Sequence, residues 1–309
     1  MTAADPTGIP VRRARGVGAR ERAAWAFLAP ALIAIGLFFA IPVLAALLLS
    51  LTDFDIYALA DIDNLRFVGV DNYLGLLQNP LFWKSLGNTV YFVVVGVPLS
   101  VAVSLGAALL LHSRLGRFKG FFRTAFFAPV VTTVVAVAVI WRYLFHTRYG
   151  LVNWGLSWVG IDPVDWLGDP TWAMPTIILF AVWKNFGYNM IIFLAGLQSI
   201  PEDLYEAARI DGASRWAQFR HVTLPQLGPV LLLVGILTMA GYFQLFAEPY
   251  VMTQGGPLES TKSALYLMYE EGFKWWNLGN ASAVAFLLFI LMTAVTSGLL
   301  WFARRRGVE

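Results

Sequence analysis

A chain of 309 residues that is 58% hydrophobic and only 13% charged is not composed like a soluble globular domain, where apolar residues make up roughly 45–50% and charged ones about 25%. The absence of cysteine excludes disulfides, thiolate metal sites and a cysteine nucleophile together. The formal net charge of +3 needs no nucleic acid to explain it, because the basic residues are segregated as a membrane topology requires.

In chain order, an arm (residues 1–23) bearing Arg12, Arg13, Arg15, Arg20 and Arg22 precedes six apolar runs, at 24–51, 86–111, 121–145, 173–198, 228–252 and 280–302. Each reaches the length of about 20 residues that crosses a hydrocarbon core of roughly 30 Å. Backbone facing lipid must satisfy its own hydrogen bonds, so helix is expected in each. The run beginning at Trp25 is too long for the apolar core of a cleaved signal and reads as a retained first span. An acidic segment with Asp53, Asp55, Asp61, Asp63 and Asp71 follows it, and a tight basic turn with Arg114, Arg117, Lys119 and Arg123 joins the second and third spans. The segment before the fourth span is rich in Trp, Gly and Pro and carries Asp162, Asp165 and Asp169. A polar segment at 199–227, with Arg209, Arg215 and Arg220, separates the fourth and fifth spans, and the tail (304–309) carries Arg304, Arg305 and Arg306.

The opposite side holds Arg66, Lys84, Arg142, Arg148, Lys262 and Lys274, with Lys184 left inside a span. The excess of Lys and Arg marks the arm, the basic turn, the polar segment and the tail as cytoplasmic, so both termini are expected inside. Trp83, Trp141, Trp172, Trp275 and Trp276 fall near outer boundaries and Trp25 and Trp301 near inner ones, as interfacial anchors do. The expected fold is an all-α membrane protein: a permease domain (24–303) of six transmembrane helices, with a cytoplasmic helix pair between the fourth and fifth.

Catalytic and metal motifs are missing. No Gly-x-x-x-x-Gly-Lys-Ser/Thr occurs, so the chain cannot cradle ATP phosphates. His112, His146 and His221 match no ligand spacing, and Gly155-Leu156-Ser157 has no nearby histidine. Work done by this protein must draw on a partner or a gradient.

The polar segment spells out two short helices. Ser199 with Glu202 three residues later fits a capping box, with Pro201 among the first helical positions. Asp211-Gly212 is a natural stop, after which Ser214 can cap a second helix, Arg215 to His221, before Pro225 leads into the fifth span. Leu204, Ala208, Ile210, Trp216 and Phe219 are available for burial. The physics alone fits either an interfacial helical loop or a docking element. The spelling is more specific. Glu206-Ala207-Ala208, three further residues, Gly212, nine more, then Val222-Thr223-Leu224-Pro225 resembles the EAA loop of the membrane subunits of binding-protein-dependent ABC importers. Its one departure is Val222 where the family usually has Ile.

The resemblance runs from about residue 24 to the end. Asn88-Thr89, Phe122-Arg123-Thr124 with Pro129, Trp141-Arg142, the run Leu194–Pro201 and Thr253-Gln254-Gly255-Gly256-Pro257 look like the carbohydrate-uptake branch, of the maltose and glycerol-3-phosphate permease type. It implies a bacterial cytoplasmic (inner) membrane protein without a cofactor of its own. The implied partners are a second homologous permease subunit, two copies of a cytoplasmic ATPase carrying ATP and Mg, an extracytoplasmic solute-binding protein, a carbohydrate-like substrate and membrane lipid. It also implies that Leu204, Glu206, Ala207, Ala208, Asp211, Gly212, Arg215, Phe219, Leu224 and Pro225 couple to the ATPase, with Glu206 meeting its basic residues.

Polar residues inside spans are expensive and face an interior or a wet cavity. The fourth span has Trp183, Lys184, Asn185, Tyr188 and Asn189, and the fifth has Thr238, Tyr242, Gln244 and Glu248. An uncompensated lysine at such depth costs roughly 2.5–3.5 kcal/mol on insertion scales, so pairing of Lys184 with Glu248 is expected. The resemblance places sugar-contacting positions at Ala181, Lys184, Asn185, Tyr188, Thr238, Gly241, Tyr242 and Leu245. Only Tyr188 is chemically unchanged there, so the resemblance does not carry the sugar's identity. The expected substrate path is these residues with Trp183, Gln244 and Glu248. Other readings are polar groups that merely join helices, a gradient-driven carrier with Lys184 and Glu248 as proton-linked groups, and a glycerol-3-phosphate substrate. A membrane-embedded enzyme would need an acid/base or nucleophile constellation, and none is visible.

Overall fold

The computed structural model describes residues 17–112, 119–305 and 307. Arg12, Arg13, Arg15, Arg114, Arg117 and Arg306, which entered the charge argument, lie outside the described residues. Helices dominate the described residues, and the one β element among them is an isolated bridge between Thr52 and Phe67.

The chain divides after Leu49. The first unit is one helical rod, α1, running Val17–Ile35, through a π turn at Gly36–Ala40, into Ile41–Leu49. Pro42 has no N–H to offer the Phe38 carbonyl, and the ladder slips there: the Ile41 N–H bonds back to Gly36.

The second unit (50–309) contains α2 (Asp71–Gln78), α3 (Pro80–His112), α4 (Lys119–Val131), α5 (Val134–Leu144), α6 (Leu151–Ser157), α7 (Pro170–Gln198), α8 (Glu202–Ile210), α9 (Arg215–Gln226), α10 (Gly228–Phe243), α11 (Ala247–Met252), α12 (Ala264–Tyr269) and α13 (Leu278–Arg305). Among the described residues, four helices are single runs long and apolar enough to cross a bilayer: Ala24–Leu49 of α1, α3, α7 and α13. Neither of the other two apolar runs is a single helix. The third is α4 and α5, bent by 99°, and α10 of the fifth is set at 67° to α9 and ends at Phe243.

The bend in the third run has a local cause. Pro129 cannot donate to the ladder, the Thr132 hydroxyl bonds back to its carbonyl at 2.6 Å, and Thr133 is extended. The carbonyls at the end of α4 therefore have no helical N–H to accept from.

At the centre of the second unit is α7, the most buried of the four long helices. On its N-terminal half Ile177, Phe180 and Ala181 pack with Phe92, Trp141, Met239 and Tyr242. On its C-terminal half Met190, Phe193 and Leu197 pack with Ala108, Leu111, Leu227 and Val234. A third cluster, Leu76, Phe82, Leu267, Ala283 and Val284, joins α2, α3, α12 and α13. Small residues set the approach, as is common between membrane helices. A β-carbon on Gly187 would lie 2.0 Å from the Phe126 carbonyl oxygen, and one on Gly96 would lie 2.8 Å from the Tyr242 ring.

Candidate functional site

Where α7 faces α10 and α11, the polar residues of both elements border a cavity of about 260 Å³ lined by Phe92, Ala181, Asn185, Tyr188, Asn189, Leu237, Thr238, Gly241, Tyr242, Gln244, Leu245 and Glu248. A second cavity, about 430 Å³, shares Asn185, Gly241, Gln244 and Glu248 with it and adds Val134, Lys184, Phe246, Ala247 and Leu265. The two cavities therefore share a wall. Glycine at 241 leaves room: a β-carbon there meets nothing within 4 Å.

Ten of the eleven path residues expected from the sequence border these cavities. Trp183 does not; its ring packs on Trp141 with centroids 5.5 Å apart. Asn189, singled out among the polar residues of the fourth span, also lines the first cavity, whereas Phe92 and Leu237 were not among the expected residues. Asn189 sits one helical turn from Asn185 and carried the same signal, whereas an apolar Phe92 in an apolar helix carries none. Asn189 donates to the Thr238 hydroxyl at 2.9 Å, a buried bond joining α7 to α10. Asn185 donates to the Ala181 carbonyl at 3.0 Å. The Tyr242 hydroxyl is buried beside Ser100 and Asn185, outside ordinary hydrogen-bond geometry to either, and its ring leans on Phe92 at 4.9 Å.

Lys184 is not ion-paired with Glu248 as the sequence suggested. Its ammonium donates to the Val130 carbonyl at 3.1 Å, one of the acceptors released by the α4–α5 bend. A cation at a helix C-terminus also meets the negative end of the helix dipole. The broken helix thus supplies the partner that was assigned to the carboxylate.

On the polar segment, α8 ends as expected: Gly212 has φ +75°, and the Ala213 N–H reaches the Ala208 carbonyl at 2.9 Å. Ser214 caps α9 through the Ala217 N–H at 3.2 Å. The expected capping box does not form. Ser199 closes α7 instead, its hydroxyl bonding the Gly196 carbonyl at 2.8 Å, and Pro201 opens α8. The second helix also runs past His221, through a π turn at Phe219–Thr223, to Gln226. The Tyr205 hydroxyl meets the Thr223 hydroxyl at 3.0 Å and clasps α8 to α9.

Of the expected coupling residues, Leu204, Glu206, Ala207, Asp211, Gly212, Arg215 and Pro225 are exposed, and Ala208, Phe219 and Leu224 are half-buried. Ile210 (87% exposed) and Trp216 (67%) are not buried as expected but project from the pair. Glu206 faces Arg209 at 3.6 Å with both side chains more than half exposed, an arrangement that stabilises little and leaves the carboxylate free to change partners.

At the opposite end, motifs remote in sequence meet. The Asn88 amide donates to the carbonyls of Glu259 (2.8 Å) and Lys262 (2.9 Å), Lys84 donates to Leu258, and Thr89 accepts from the Ala264 N–H at 2.9 Å. The segment that begins with Thr253–Pro257 is pinned by these bonds to the start of α3. Among the described residues no group of His, Asp and Glu side chains converges as metal ligands would.

A helical protein with a polar cavity between central helices, set beside an exposed amphipathic helix pair, has the architecture of a membrane permease subunit. The fold is shared with a bacterial ABC transporter involved in the import of the acidic polysaccharide alginate (TM-score 0.78, 23% identity, 93% of this chain and 96% of that one). Residues 100–307 match the family described as "Binding-protein-dependent transport system inner membrane component". The lactose transport system permease protein of Rhizobium radiobacter is 39% identical over 285 residues, 91% of this chain and 93% of that protein. The trehalose/maltose transport system permease protein of Thermococcus litoralis is 40% identical over 233 residues, 74% and 77%. The chain belongs to the family of binding-protein-dependent transport system inner membrane components. It is a non-catalytic permease subunit of an ABC importer, and ATP is hydrolysed on a separate subunit.

Proposed function

We propose that this chain forms half of the translocation path for a sugar, crossing the membrane six times with both termini in the cytoplasm. In this reading the bent α4–α5 pair is the third span, and α10 with the segment to Met252 is the fifth. The observation that carries it is the cavity between α7 and α10, where Asn185, Asn189, Thr238, Gln244 and Glu248 surround a space bounded by the rings of Phe92, Tyr188 and Tyr242. A sugar needs this mixture, since aromatic rings offer an apolar face and amides and carboxylates fix hydroxyls. Relatives named for lactose and for trehalose and maltose support a sugar over glycerol-3-phosphate, as does the engagement of Lys184 by a backbone carbonyl.

The pair α8–α9 is then the coupling element. Leu204, Ile210 and Trp216 present apolar surface to a cytoplasmic ATPase, Glu206 meets its basic residues, and the Tyr205–Thr223 clasp makes the pair move as one piece. A second homologous permease, two ATPase copies and an extracytoplasmic binding protein complete the assembly. ATP shifts the inward–outward equilibrium only through its different affinity for the two states.

The test is uptake by the reconstituted assembly with Gly241→Trp, which fills the cavity where a β-carbon meets nothing. Uptake should be abolished while the subunits still assemble. Unchanged uptake would remove the cavity from the path, and uptake driven by an ion gradient without ATPase would defeat the coupling assignment.

A further inference from the structure

Beyond the cavity, five aromatic rings form an unbroken row. Phe246, on the cavity wall beside Gln244 and Glu248, lies 5.0 Å from Tyr269, and Tyr269 stacks on Phe273 at 5.6 Å. Tyr250 flanks the row, stacked on Phe246 at 5.2 Å and edge-on to Tyr269 at 5.5 Å. Tyr266 backs it, 5.9 Å from Phe246 and 5.8 Å from Tyr250. The spacing has a simple origin. Positions 266, 269 and 273 fall on one face of α12 and the π turn that continues it (Glu270–Lys274), and positions 246 and 250 stand one turn apart at α11.

A row serving only to pack α11 on α12 would be buried along its length. Here only Tyr266 is; Tyr250 is 43% and Phe273 64% exposed. Exposure is greatest at the end away from the cavity, and the inner end opens into it. Charged groups border the row: Glu270 is held by Lys262 at 2.8 Å and Lys274 at 3.0 Å.

We propose that Phe246, Tyr250, Tyr269 and Phe273 are a saccharide track, on which the rings of a substrate of two or more sugar units stack between the outer face and the membrane cavity. The inference rests on the sugar reading above and adds a requirement to it. A monosaccharide gains from one ring at a time, while a linked chain gains from several at once. Aromatic faces take apolar sugar faces irrespective of the pattern of hydroxyls, and the tyrosine hydroxyls keep the polar edge satisfied. The track therefore selects for length and leaves identity to the cavity.

The experiment uses the complete importer in proteoliposomes with its binding protein, and radiolabelled glucose, galactose, lactose, trehalose, maltose and maltotriose as probes. Tyr269→Leu and Phe273→Leu keep apolar bulk and remove the ring; Tyr269→Phe and Phe273→Tyr keep it. The leucine variants should raise KM for the two- and three-ring sugars by about three- to tenfold per ring, and the ring-conserving variants should match the parent. Phe273 is exposed enough that Phe273→Leu decides the question even where Tyr269→Leu fails to assemble. Unchanged KM in an assembled leucine variant overturns the track, as does a parent importer that moves only the monosaccharides. A parent whose binding protein takes no mono- or oligosaccharide from a broad panel fails the sugar reading itself, a result distinct from either.

Discussion

Gly187→Ala is the sharpest perturbation available to the helix packing. Its β-carbon would lie 2.0 Å from the Phe126 carbonyl oxygen, where even a weak C–H···O contact needs about 3.3 Å. The obstacle is backbone, so no side-chain rotation relieves it, and α4 must retreat from α7 by about 1.3 Å. The same retreat stretches the Lys184–Val130 bond, now 3.1 Å, past hydrogen-bonding distance. Overpacking of this kind costs about 1–3 kcal/mol, and a lost bond from a charged donor about 1.5–3 kcal/mol, so about 2.5–6 kcal/mol together. Gly235→Ala, where a β-carbon meets nothing within 4 Å, is the matched control; helix propensity makes it neutral or favourable by up to about 1 kcal/mol. Thermal unfolding of the purified assembly in nanodiscs should separate the two variants by several degrees. Equal transition temperatures would refute the α4–α7 contact and the cap that depends on it.

Three further perturbations follow from the geometry. Gly212→Val forces a β-branched residue into a left-handed conformation at φ +75°, costing roughly 1–2 kcal/mol without a steric clash; it should raise the number of ATP molecules hydrolysed per sugar imported, and an unchanged ratio would show that the turn is not in the coupling route. Ile210→Asp with Trp216→Ser alters exposed side chains, so stability should move by no more than about 0.5 kcal/mol while co-purification of the ATPase is lost; retained ATPase would refute the docking role. Asp53 accepts the Arg66 backbone N–H and pairs with its guanidinium, both at 2.7 Å; the backbone bond is the largest influence on its carboxyl, burial opposes it, and the guanidinium's hydrogen bond and charge add to it, so the carboxyl is held below the usual 3.8. Its contribution is therefore complete above pH 3.8 and lost as the pH falls through the depressed value. Amide exchange around Arg66 should accelerate there in the parent and lack that step in Asp53→Asn.

Most of the cavity was legible because polar residues in an apolar helix have few reasons to exist. That signal located Asn185, Thr238, Gln244 and Glu248 from two segments distant in sequence, and it extended to Asn189. It failed at Trp183 because an indole suits an aromatic packing face as well as a polar one. The hydrogen-bond acceptor of Lys184 was missed for a deeper reason. That acceptor exists only because α4 stops, and the stop depends on Pro129, Thr132 and Thr133 acting together rather than on any single residue. Ser199 misled in a similar way: where only three residues separate one helix from the next, the same serine fits either end. The clamp of Asn88 and Thr89 on residues 259–264 was not visible, since nothing local to Asn88 names a carbonyl some 170 positions away.

The cap on α4 also bears on how the protein is made. Lys184 sits in the least apolar of the four long helices, and its acceptor at Val130 belongs to a helix that leaves the ribosome earlier. Alone in lipid, α7 carries a charge opposed by roughly 2.5–3.5 kcal/mol; beside α4 it finds a waiting carbonyl. Chain order therefore places the acceptor ahead of the donor: the broken third run is made before the helix whose charge it caps.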